Sequence, residues 1–218
     1  MSVNDNPLQV MAQWLREAQT SSARRNPLAM ALATATADGI PSVRMVLLKG
    51  FAEQQGYVNF YTHHESRKGT EISVTQRAAG VLYWEEFGGR QLRIEGPVRR
   101  SPHDESDQYF ASRPVHSQLN AWVSQQSRTL EDPASLPALA TQKANEFGIT
   151  AAALQDGGPQ EIPRPAHWGG YRIWIDRLEL WSEGAGRFHD RYCYTRTLKQ
   201  QEDESFVGTN WQATRLHP

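Results

Sequence analysis

Residues 29–51 read AMALATATADGIPSVRMVLLKGF, and this stretch decides the fold class of the chain. Residues 29–37 alternate with the period of two that a β-strand requires. Asp38-Gly39 is a favoured hairpin-turn pair, and residues 40–51 form a second run that is rich in strand-forming side chains. The stretch therefore predicts two antiparallel strands joined by a tight turn.

Similar strand-like runs lie on both sides of a helical middle region. These further strands are predicted over 56–63, 78–87, 90–100, 168–181, 187–196 and 205–216. Gly88-Gly89 supplies a hairpin turn between two of them. Six or more antiparallel strands follow from this pattern.

Helices are predicted where apolar side chains recur at helical spacing. The first begins at Asn6-Pro7, with proline at the first helical position, and a helix over 66–76 is capped by Ser66. Further helices are predicted over 102–112, over 116–123, and from a cap at Asp132 or Ser135 to residue 147. The fold prediction is mainly β (α+β), with helices around an antiparallel sheet. We expect a single domain over 1–218, with an N-terminal helical segment over 1–25.

The composition excludes several classes of protein. Lysine and arginine total 23 against 24 aspartates and glutamates, so the chain lacks the basic excess of a nucleic-acid-binding protein. The single cysteine, Cys193, permits neither an intramolecular disulfide nor a CxxC metal site. The sequence has no signal peptide and no apolar run long enough to cross a membrane, so we expect a cytoplasmic protein.

The second strand carries a cation near each end of an apolar run, at Arg44 and Lys49. In a continuous strand Arg44, Val46 and Leu48 share one face, and the residues between them share the other. Such a strand suits a flat aromatic ligand with an anionic tail. An edge strand with solvated charges is the alternative.

A candidate anion site lies at Ser66-Arg67-Lys68-Gly69, where a helix starts just after a strand. Free N–H groups and the helix dipole attract anions to such a start, and two adjacent cations strengthen the attraction. Three charge-assisted hydrogen bonds of about 1.5–3 kcal/mol each would account for much of a micromolar affinity for a phosphomonoester. A solvated basic turn is the alternative.

The most specific stretch lies near the C-terminus, where Arg187, His189 and Arg191 are predicted to share one strand face. Three groups that can carry positive charge repel one another on one face, so a purely structural role gains little from them. A site for an anionic or electron-rich ligand would use all three.

These motifs together resemble the pyridoxamine 5'-phosphate oxidase family. The matching segments, in the order and approximate spacing of that family, are RMVLLK, YT, SRKG, RQ, YFASRP, QQSR, IPRPAHWGGYR, LELW, RFHDR and RLHP. The resemblance covers about residues 26–218. It implies an FMN-binding split β-barrel that works as a homodimer, with the flavin at the interface between the subunits.

The resemblance also implies a set of site residues. The residues expected to hold FMN are Arg44, Met45, Val46, Leu47, Leu48, Lys49, Tyr61, Thr62, Arg67, Lys68, Gln91, Gln126, Ser127, Trp181 and Arg191. The flavin phosphate would lie on a cluster of Arg44, Arg67 and Lys68. The substrate phosphate would meet Lys49, Tyr109, Arg113 and Ser117, while Arg187 and His189 would bind at the reacting carbon as the catalytic pair. Because Pro114 interrupts the helix, Tyr109, Arg113 and Ser117 are expected to surround a pocket at a helix end.

The implied reaction is oxidation of pyridoxamine or pyridoxine 5'-phosphate to pyridoxal 5'-phosphate. Hydride would pass from the 4'-carbon to flavin N5, and dioxygen would reoxidise the flavin to give hydrogen peroxide. Two alternatives stay open. One is a related flavin oxidase acting on another reduced aromatic, such as a phenazine precursor. The other is a split-barrel protein that binds flavin or haem without turnover.

Overall fold

The computed structural model describes residues 6–218, so the first five residues of the predicted N-terminal segment lie outside it. The chain divides into two compact units. The sheet unit comprises Met1–Phe60, Val74–Arg99 and Arg172–Pro218, and the helical unit comprises Tyr61–Ser73 and Arg100–Tyr171. The single domain expected from the sequence stays a prediction.

Twelve strands occur within residues 6–218. They are β1 (Ala29–Ala35), β2 (Pro41–Leu47), β3 (Gly50–Ala52), β4 (Tyr57–His63), β5 (Arg77–Trp84), β6 (Arg90–Arg100), β7 (Trp168–Trp174), β8 (Arg177–Ser182), β9 (Asp190–Thr195), β10 (Leu198–Gln200), β11 (Phe206–Gly208) and β12 (Gln212–Arg215). Seven of them lie in the order β12-β9-β8-β6-β5-β1-β2, and each neighbouring pair is antiparallel. The predicted antiparallel sheet is confirmed.

Six helices occur in the same part of the chain. They are α1 (Pro7–Ser21), α2 (Arg67–Thr75), α3 (His103–Ala111), α4 (Val115–Val123), α5 (Ser135–Glu146) and α6 (Ala151–Asp156). The start of α1 is as predicted, because the Asn6 side chain accepts a 3.1 Å hydrogen bond from the N–H of Leu8. Helix α6 was not predicted, although Thr150 caps its start by accepting a hydrogen bond from the N–H of Ala153. None of these helices is long and apolar enough to cross a membrane.

The sheet unit buries one face of its strands. Leu32, Leu82, Leu92 and Leu180 lie on this face of β1, β5, β6 and β8, each with almost no exposed surface. Helix α1 contacts β8 and contributes Met11 and other apolar side chains to the buried set. Side chains at alternate positions point to the opposite, outer face.

The predicted strand over 40–51 is wrong in its last part. The strand β2 ends at Leu47, because the chain then leaves β1 for a new partner: the N–H of Lys49 donates to the carbonyl of Asn59 at 2.9 Å. Leu48 is buried and Lys49 lies between β2 and β3. The N–H of Leu48 still donates to the carbonyl of Leu28 at 3.0 Å. Since Leu48 is buried and Lys49 is exposed, the predicted alternation of burial continues to Lys49 although the strand itself ends at Leu47.

The loop between β5 and β6 is longer than the two-residue turn predicted at Gly88-Gly89. The strand ends at Trp84, a 3-10 turn spans Glu85–Phe87, and Gly88 and Gly89 both have left-handed backbone, with φ of 74° and 65°. The pairing of Trp84 with Arg90 closes this five-residue loop. The glycines do supply the turn, but they follow a 3-10 turn.

Two other predicted strands are each divided in two. The segment 168–181 becomes β7 and β8, because the N–H of Ile175 bonds to Gly56 and that of Asp176 to Glu95. The segment 205–216 becomes β11, which pairs with β10, and β12, which pairs with β9. In each case the break falls where the partner strand changes.

The helical unit has its own apolar core. It is built around Phe110, Val115, Leu119, Ala144 and Trp168, with aromatic side chains packed against them. Helices α3 and α4 are separate, since α3 ends at Ala111 and α4 begins at Val115. The predicted helix break at Pro114 is confirmed.

Candidate active site

Three predicted cofactor residues lie side by side on the outer face of the sheet unit. Gln91 of β6 is directly opposite Trp181 of β8, which is directly opposite Arg191 of β9. Residues that pair in this way project from the same face. Side chains 90 and 100 residues apart in the sequence therefore form one row.

The neighbouring residue Glu179 holds Arg191 in this row. Its carboxylate is 3% exposed and accepts hydrogen bonds from Nε of Arg191 at 2.8 Å and from Nη1 of Arg93 at 3.0 Å. This hydrogen bond and the negative charge of Glu179 raise the pKa of the Arg191 guanidinium. Glu179 belongs to the LELW motif but was not among the predicted site residues. A lone carboxylate within an apolar strand was the available signal.

The C-terminal segment also forms hydrogen bonds with Arg191. The N–H of Leu216 donates to the Arg191 carbonyl at 2.9 Å, and Nη1 of Arg191 donates to the carbonyl of His217 at 3.1 Å. Arg215 forms an ion pair with Asp190. The RLHP motif is thus part of the structure around Arg191.

The prediction that Arg187, His189 and Arg191 share one strand face is wrong. Arg187 ends a 3-10 turn over Ala185–Arg187 with a left-handed φ of 67°, and β9 begins only at Asp190. Residues 184–189 form a tight turn instead of the predicted strand. In this turn the N–H of Gly184 donates to Nδ1 of His189 at 3.3 Å.

His189 lies instead against Trp181, with ring centroids 4.5 Å apart. A cavity of about 330 Å³ adjoins it, lined by His189, Phe188 and residues 215–218. Since Nδ1 accepts a hydrogen bond, a neutral His189 carries its proton on Nε2. The geometry therefore provides a donor at Nε2 beside an aromatic surface.

The strand β2 divides its predicted cofactor residues between two faces. Arg44 lies on the same face as its partner Leu32 and donates to the Leu32 carbonyl at 3.2 Å, to Thr34 Oγ1 at 2.5 Å and to Ser42 Oγ. Val46 shares that face, whereas Met45 is 62% exposed and Leu47 is 38% exposed on the other. Beyond the strand, Lys49 lines a small cavity beside α1.

The helical unit brings three polar side chains together around the amine of Lys68. Its Nζ donates to Gln126 Oε1 at 2.8 Å, and to Thr62 Oγ1 and Ser66 Oγ at 3.2 Å each. Thr62 also donates to Gln126 at 3.0 Å. We call these four residues the Lys68 cluster. Lys68 is 6% exposed, so its charge lies in a protected place.

Local backbone geometry explains why Ser66 and Gly69 frame this cluster. Ser66 Oγ accepts from the N–H of Gly69 at 3.4 Å, so Ser66 caps α2 as predicted. A side chain at position 69 would lie 2.0 Å from the carbonyl oxygen of His64, and only glycine fits there. Arg67 projects outward and pairs with Glu71 at 2.9 Å. Ser127, which follows Gln126, has a left-handed φ of 75°, an uncommon conformation for a residue other than glycine.

A second group in the helical unit contains predicted substrate residues. Tyr109 stacks on Tyr61 with ring centroids 3.9 Å apart, and the Arg113 guanidinium lies 4.4 Å from the centroid of Trp168. Nη1 of Arg113 is buried and has no hydrogen-bond partner within residues 6–218, and burial lowers the pKa of this guanidinium. Ser117 is half-buried in the first turn of α4. Tyr109 and Arg113 lie before Pro114 and Ser117 after it; that they surround a pocket at this helix end stays a prediction.

Three histidines of the helical unit have aromatic partners. The rings of His63 and His167 stack at 4.2 Å, and His64 lies edge-on to Tyr171 at 5.1 Å. Burial, followed by the charges of Arg100 and Arg164, lowers the pKa of His64 to about 4. Within the described residues no group of three or more His, Cys, Asp or Glu side chains is arranged to hold a metal ion.

Two family models match the chain. Residues 17–145 match the model described as pyridoxamine 5'-phosphate oxidase, and residues 168–218 match the pyridoxine 5'-phosphate oxidase C-terminal dimerisation region. Two similar curated proteins, both named pyridoxine/pyridoxamine 5'-phosphate oxidase, come from Paraburkholderia phymatum and Salinibacter ruber. They are 40% and 42% identical to this chain over 216 residues, which is 99% of the chain and 91% of each relative.

Among solved structures, PhzG from Burkholderia lata 383 in complex with tetrahydrophenazine-1-carboxylic acid is similar, with a TM-score of 0.79 and 33% identity. The match covers 98% of this chain and 93% of PhzG. A pyridoxamine 5'-phosphate oxidase-related, FMN-binding protein from Nostoc punctiforme shares the fold at a TM-score of 0.65 and 14% identity. These matches confirm the predicted fold, a mainly β antiparallel split barrel with peripheral helices. The chain belongs to the pyridoxamine 5'-phosphate oxidase family of oxidoreductases.

Proposed function

We propose that this protein is an FMN-dependent oxidase that converts pyridoxamine 5'-phosphate and pyridoxine 5'-phosphate to pyridoxal 5'-phosphate. The alcohol and O2 would give the aldehyde and H2O2; the amine, O2 and water would give the aldehyde, ammonia and H2O2. The Lys68 cluster is the observation that carries the flavin part of this proposal, because it joins predicted cofactor residues from two distant segments.

The Lys68 cluster fits the phosphate end of FMN. It offers a protected ammonium, two hydroxyl groups, a side-chain amide and the N-terminal end of α2, all of which suit a phosphomonoester. Charge-assisted hydrogen bonds of this kind contribute about 1.5–3 kcal/mol each. We assign Arg44 and Arg67 to the same phosphate, and Tyr61 and Ser127 to neighbouring parts of the cofactor.

The row of Gln91, Trp181 and Arg191 fits the ring system. The amide of Gln91 can donate to and accept from the polar edge of a flavin, and Trp181 offers an apolar surface beside it. The strand segment from Arg44 to Leu47, followed by Leu48 and Lys49, would complete the cofactor site.

We further propose a homodimer with FMN at its interface. The outer face of the sheet unit leaves large apolar side chains exposed, with Val43 at 69%, Met45 at 62% and Tyr83 at 42%. Several large apolar side chains exposed on one face of a sheet are typical of a surface that a partner covers. The match of residues 168–218 to a dimerisation region supports the same assembly.

Arg113 supports recognition of an anionic substrate. A buried guanidinium without a hydrogen-bond partner at Nη1 is costly unless an anion completes its contacts. A phosphate can accept from Arg113 in a bidentate manner. We assign Tyr109, Ser117 and Lys49 to the same phosphate group.

FMN, when bound, supplies two-electron oxidation of the substrate and reduction of O2 to H2O2. The chain would orient the substrate ring and stabilise the charge that changes at its 4' substituent. His189 carries its proton on Nε2 when neutral and can donate it from there, while Arg187 adds a fixed positive charge. Trp181 limits the orientations of the His189 ring.

A second candidate is oxidation of another reduced aromatic, as in the phenazine series. The similarity to PhzG, whose complex contains tetrahydrophenazine-1-carboxylic acid, favours it. That ligand bears a carboxylate, whereas the preferred substrate in our proposal bears a phosphomonoester.

A spectrum of the purified protein tests the proposal directly. We expect flavin absorbance, loss of that absorbance when pyridoxine 5'-phosphate is added without oxygen, and release of H2O2 in air. Flavin absorbance with reduction only by a reduced phenazine carboxylic acid would favour the second candidate. Bound flavin without turnover of either compound would leave a non-catalytic binding protein.

A further inference from the structure

Trp168, the first residue of β7, lies against the guanidinium of Arg113. Cζ of Arg113 is 4.4 Å from the centroid of the indole and 5.6 Å from that of Phe110. Within residues 6–218 no carboxylate pairs with Arg113, and its Nη1 has no hydrogen-bond partner. The arginine is therefore held mainly by aromatic surfaces.

We propose that Trp168 is a positioning residue that sets the preference for phosphorylated substrates by holding Arg113 with its charge available. This inference rests on the proposed function, because it assigns Arg113 to the substrate phosphate. Trp168 belongs to the segment IPRPAHWGGYR, and the family resemblance gave it no role at the site.

The choice of an aromatic partner has a chemical reason. A carboxylate would orient Arg113 equally well, but it would neutralise the guanidinium and compete with the substrate phosphate for its N–H groups. The face of an indole attracts the cation and leaves those N–H groups available, since they lie in the plane of the guanidinium. Burial lowers the pKa of Arg113. A buried cation of this kind is stabilised when an anion contacts it.

Trp168 and Tyr61 share an aromatic group with Tyr109, another residue assigned to the phosphate. The rings of Trp168, Tyr61 and Tyr109 are nearly parallel, with interplanar angles of 14° between Trp168 and Tyr61 and 9° between Trp168 and Tyr109. Tyr61 is the nearer partner of Tyr109, with ring centroids 3.9 Å apart, and the centroid of Trp168 lies 6.2 Å from that of Tyr109.

The backbone keeps Trp168 in one place. Its carbonyl accepts from Nη1 of Arg164 at 2.6 Å, and its N–H donates to Pro165 at 3.0 Å. Two residues later, a side chain at Gly170 would lie 2.5 Å from Ser101 Oγ, so glycine is needed for β7 to run this close to its neighbours. The indole itself is only 6% exposed.

Replacement of Trp168 by Leu and by Phe tests the inference. With Trp168→Leu, we expect KM for pyridoxamine 5'-phosphate to rise about 2- to 30-fold, with kcat little changed. The parameters for unphosphorylated pyridoxamine should stay near those of the wild type. Trp168→Phe should recover part of the loss, because a phenyl ring retains a weaker cation–π contact.

Trp122→Phe is the matched control. Trp122 lies in the same helical unit and has its own cation contact, Lys143 at 5.5 Å. Within residues 6–218 the cation–π contacts of Arg113 are with Phe110 and Trp168, not with Trp122. Trp122→Phe should leave the ratio of kcat/KM for pyridoxamine 5'-phosphate to kcat/KM for pyridoxamine unchanged. In an Arg113→Ala protein, Trp168→Leu should cause little further loss. Equal losses with both substrates, no loss, or full additivity with Arg113→Ala would overturn the inference.

Equilibrium dialysis separates this inference from the proposed function. The probes are 4-deoxypyridoxine 5'-phosphate and 4-deoxypyridoxine, whose 4'-methyl group resists oxidation. Trp168→Leu should weaken binding of the phosphorylated probe alone, whether or not the wild type turns over any vitamer. A wild type that binds the phosphorylated probe but oxidises no vitamer would refute the function and retain the inference. A wild type that binds both probes equally would refute the inference itself.

Discussion

The carboxylate of Glu179 accepts a 2.8 Å hydrogen bond from Nε of Arg191. Arg191 lies on the neighbouring strand β9, two residues before Cys193, which is directly opposite Glu179. The other oxygen of this carboxylate accepts from Arg93, which is 44% exposed, while Glu179 itself is almost completely buried. The two arginines compensate the buried charge, and Glu179 in turn fixes the direction of the Arg191 guanidinium beside Trp181.

Replacing this carboxylate should weaken both stability and flavin binding. Glu179→Gln removes the charge that holds Arg191, and we expect a loss of roughly 2–4 kcal/mol in the free energy of unfolding. Urea unfolding measures that loss, and ultrafiltration measures released flavin. Glu95→Gln is the control, since Glu95 pairs with Arg177 at 3.5 Å on the half-exposed part of the same face. A loss below 1 kcal/mol is expected there. Equal effects of the two changes would contradict the role of Glu179.

Removing the charge of Lys68 should release FMN. Lys68→Met keeps an unbranched side chain of similar length but deletes the ammonium that contacts Thr62 and Gln126. The loss of one to three charge-assisted contacts should weaken flavin binding by at least tenfold. Flavin fluorescence in the filtrate measures it. Arg128→Ala, which removes an exposed ion pair with Glu65, should retain the flavin. A colourless wild type that FMN cannot reconstitute would refute the cofactor assignment.

Light scattering should report about twice the chain mass of 24.7 kDa. Val43→Asp should shift the protein toward monomer and lower its flavin content, because it places a charge within the exposed apolar face. Val207→Asp is the control: Val207 is also an exposed strand valine, at 61%, but it lies in the β10–β11 pair. A monomeric wild type that retains its full flavin content would rule out the interfacial site.

Arg113 and His189 should affect different steps. Arg113→Ala should lower kcat/KM for pyridoxamine 5'-phosphate, with a loss of transition-state stabilisation of roughly 1.5–3 kcal/mol. It should barely change the rate with pyridoxamine. His189→Ala should slow both substrates by a similar factor, because both present the same ring and 4' group. Anaerobic flavin reduction by each substrate measures these rates. Equal harm to both substrates by Arg113→Ala would mean that this arginine is structural.

His64 should make stability depend on pH in the acid range. Its folded pKa of about 4 lies below the usual value of 6.5, so the unfolded chain binds the proton first as pH falls. The contribution of neutral His64 is complete above pH 6.5 and is lost between there and pH 4. From pH 7.5 to 4.5 the wild type should lose roughly 1–3 kcal/mol more than His64→Gln, after allowance for solvent screening. Urea unfolding at both values measures the difference. Parallel losses in the two proteins would contradict this assignment.

Local signals predicted the parts of the fold that depend on neighbouring residues. The alternation in β1 and β2, the Asn6 cap of α1, the Ser66 cap of α2 and the helix break at Pro114 all follow from backbone geometry within a few residues. The family resemblance named the candidate site residues but not their contacts.

The amino-acid sequence alone thus determined which segments form strands and helices in most of the chain, and its family resemblance indicated the candidate site residues. The tertiary structure decided where strands change partners, as at Lys49 and Asp176, because a strand ends where its hydrogen bonds pass to another chain segment. It also decided the contact between Lys68 and Gln126, 58 residues apart, and the row of Gln91, Trp181 and Arg191. The register between strands determines which side chains lie opposite one another, and register depends on long-range packing that no single segment encodes.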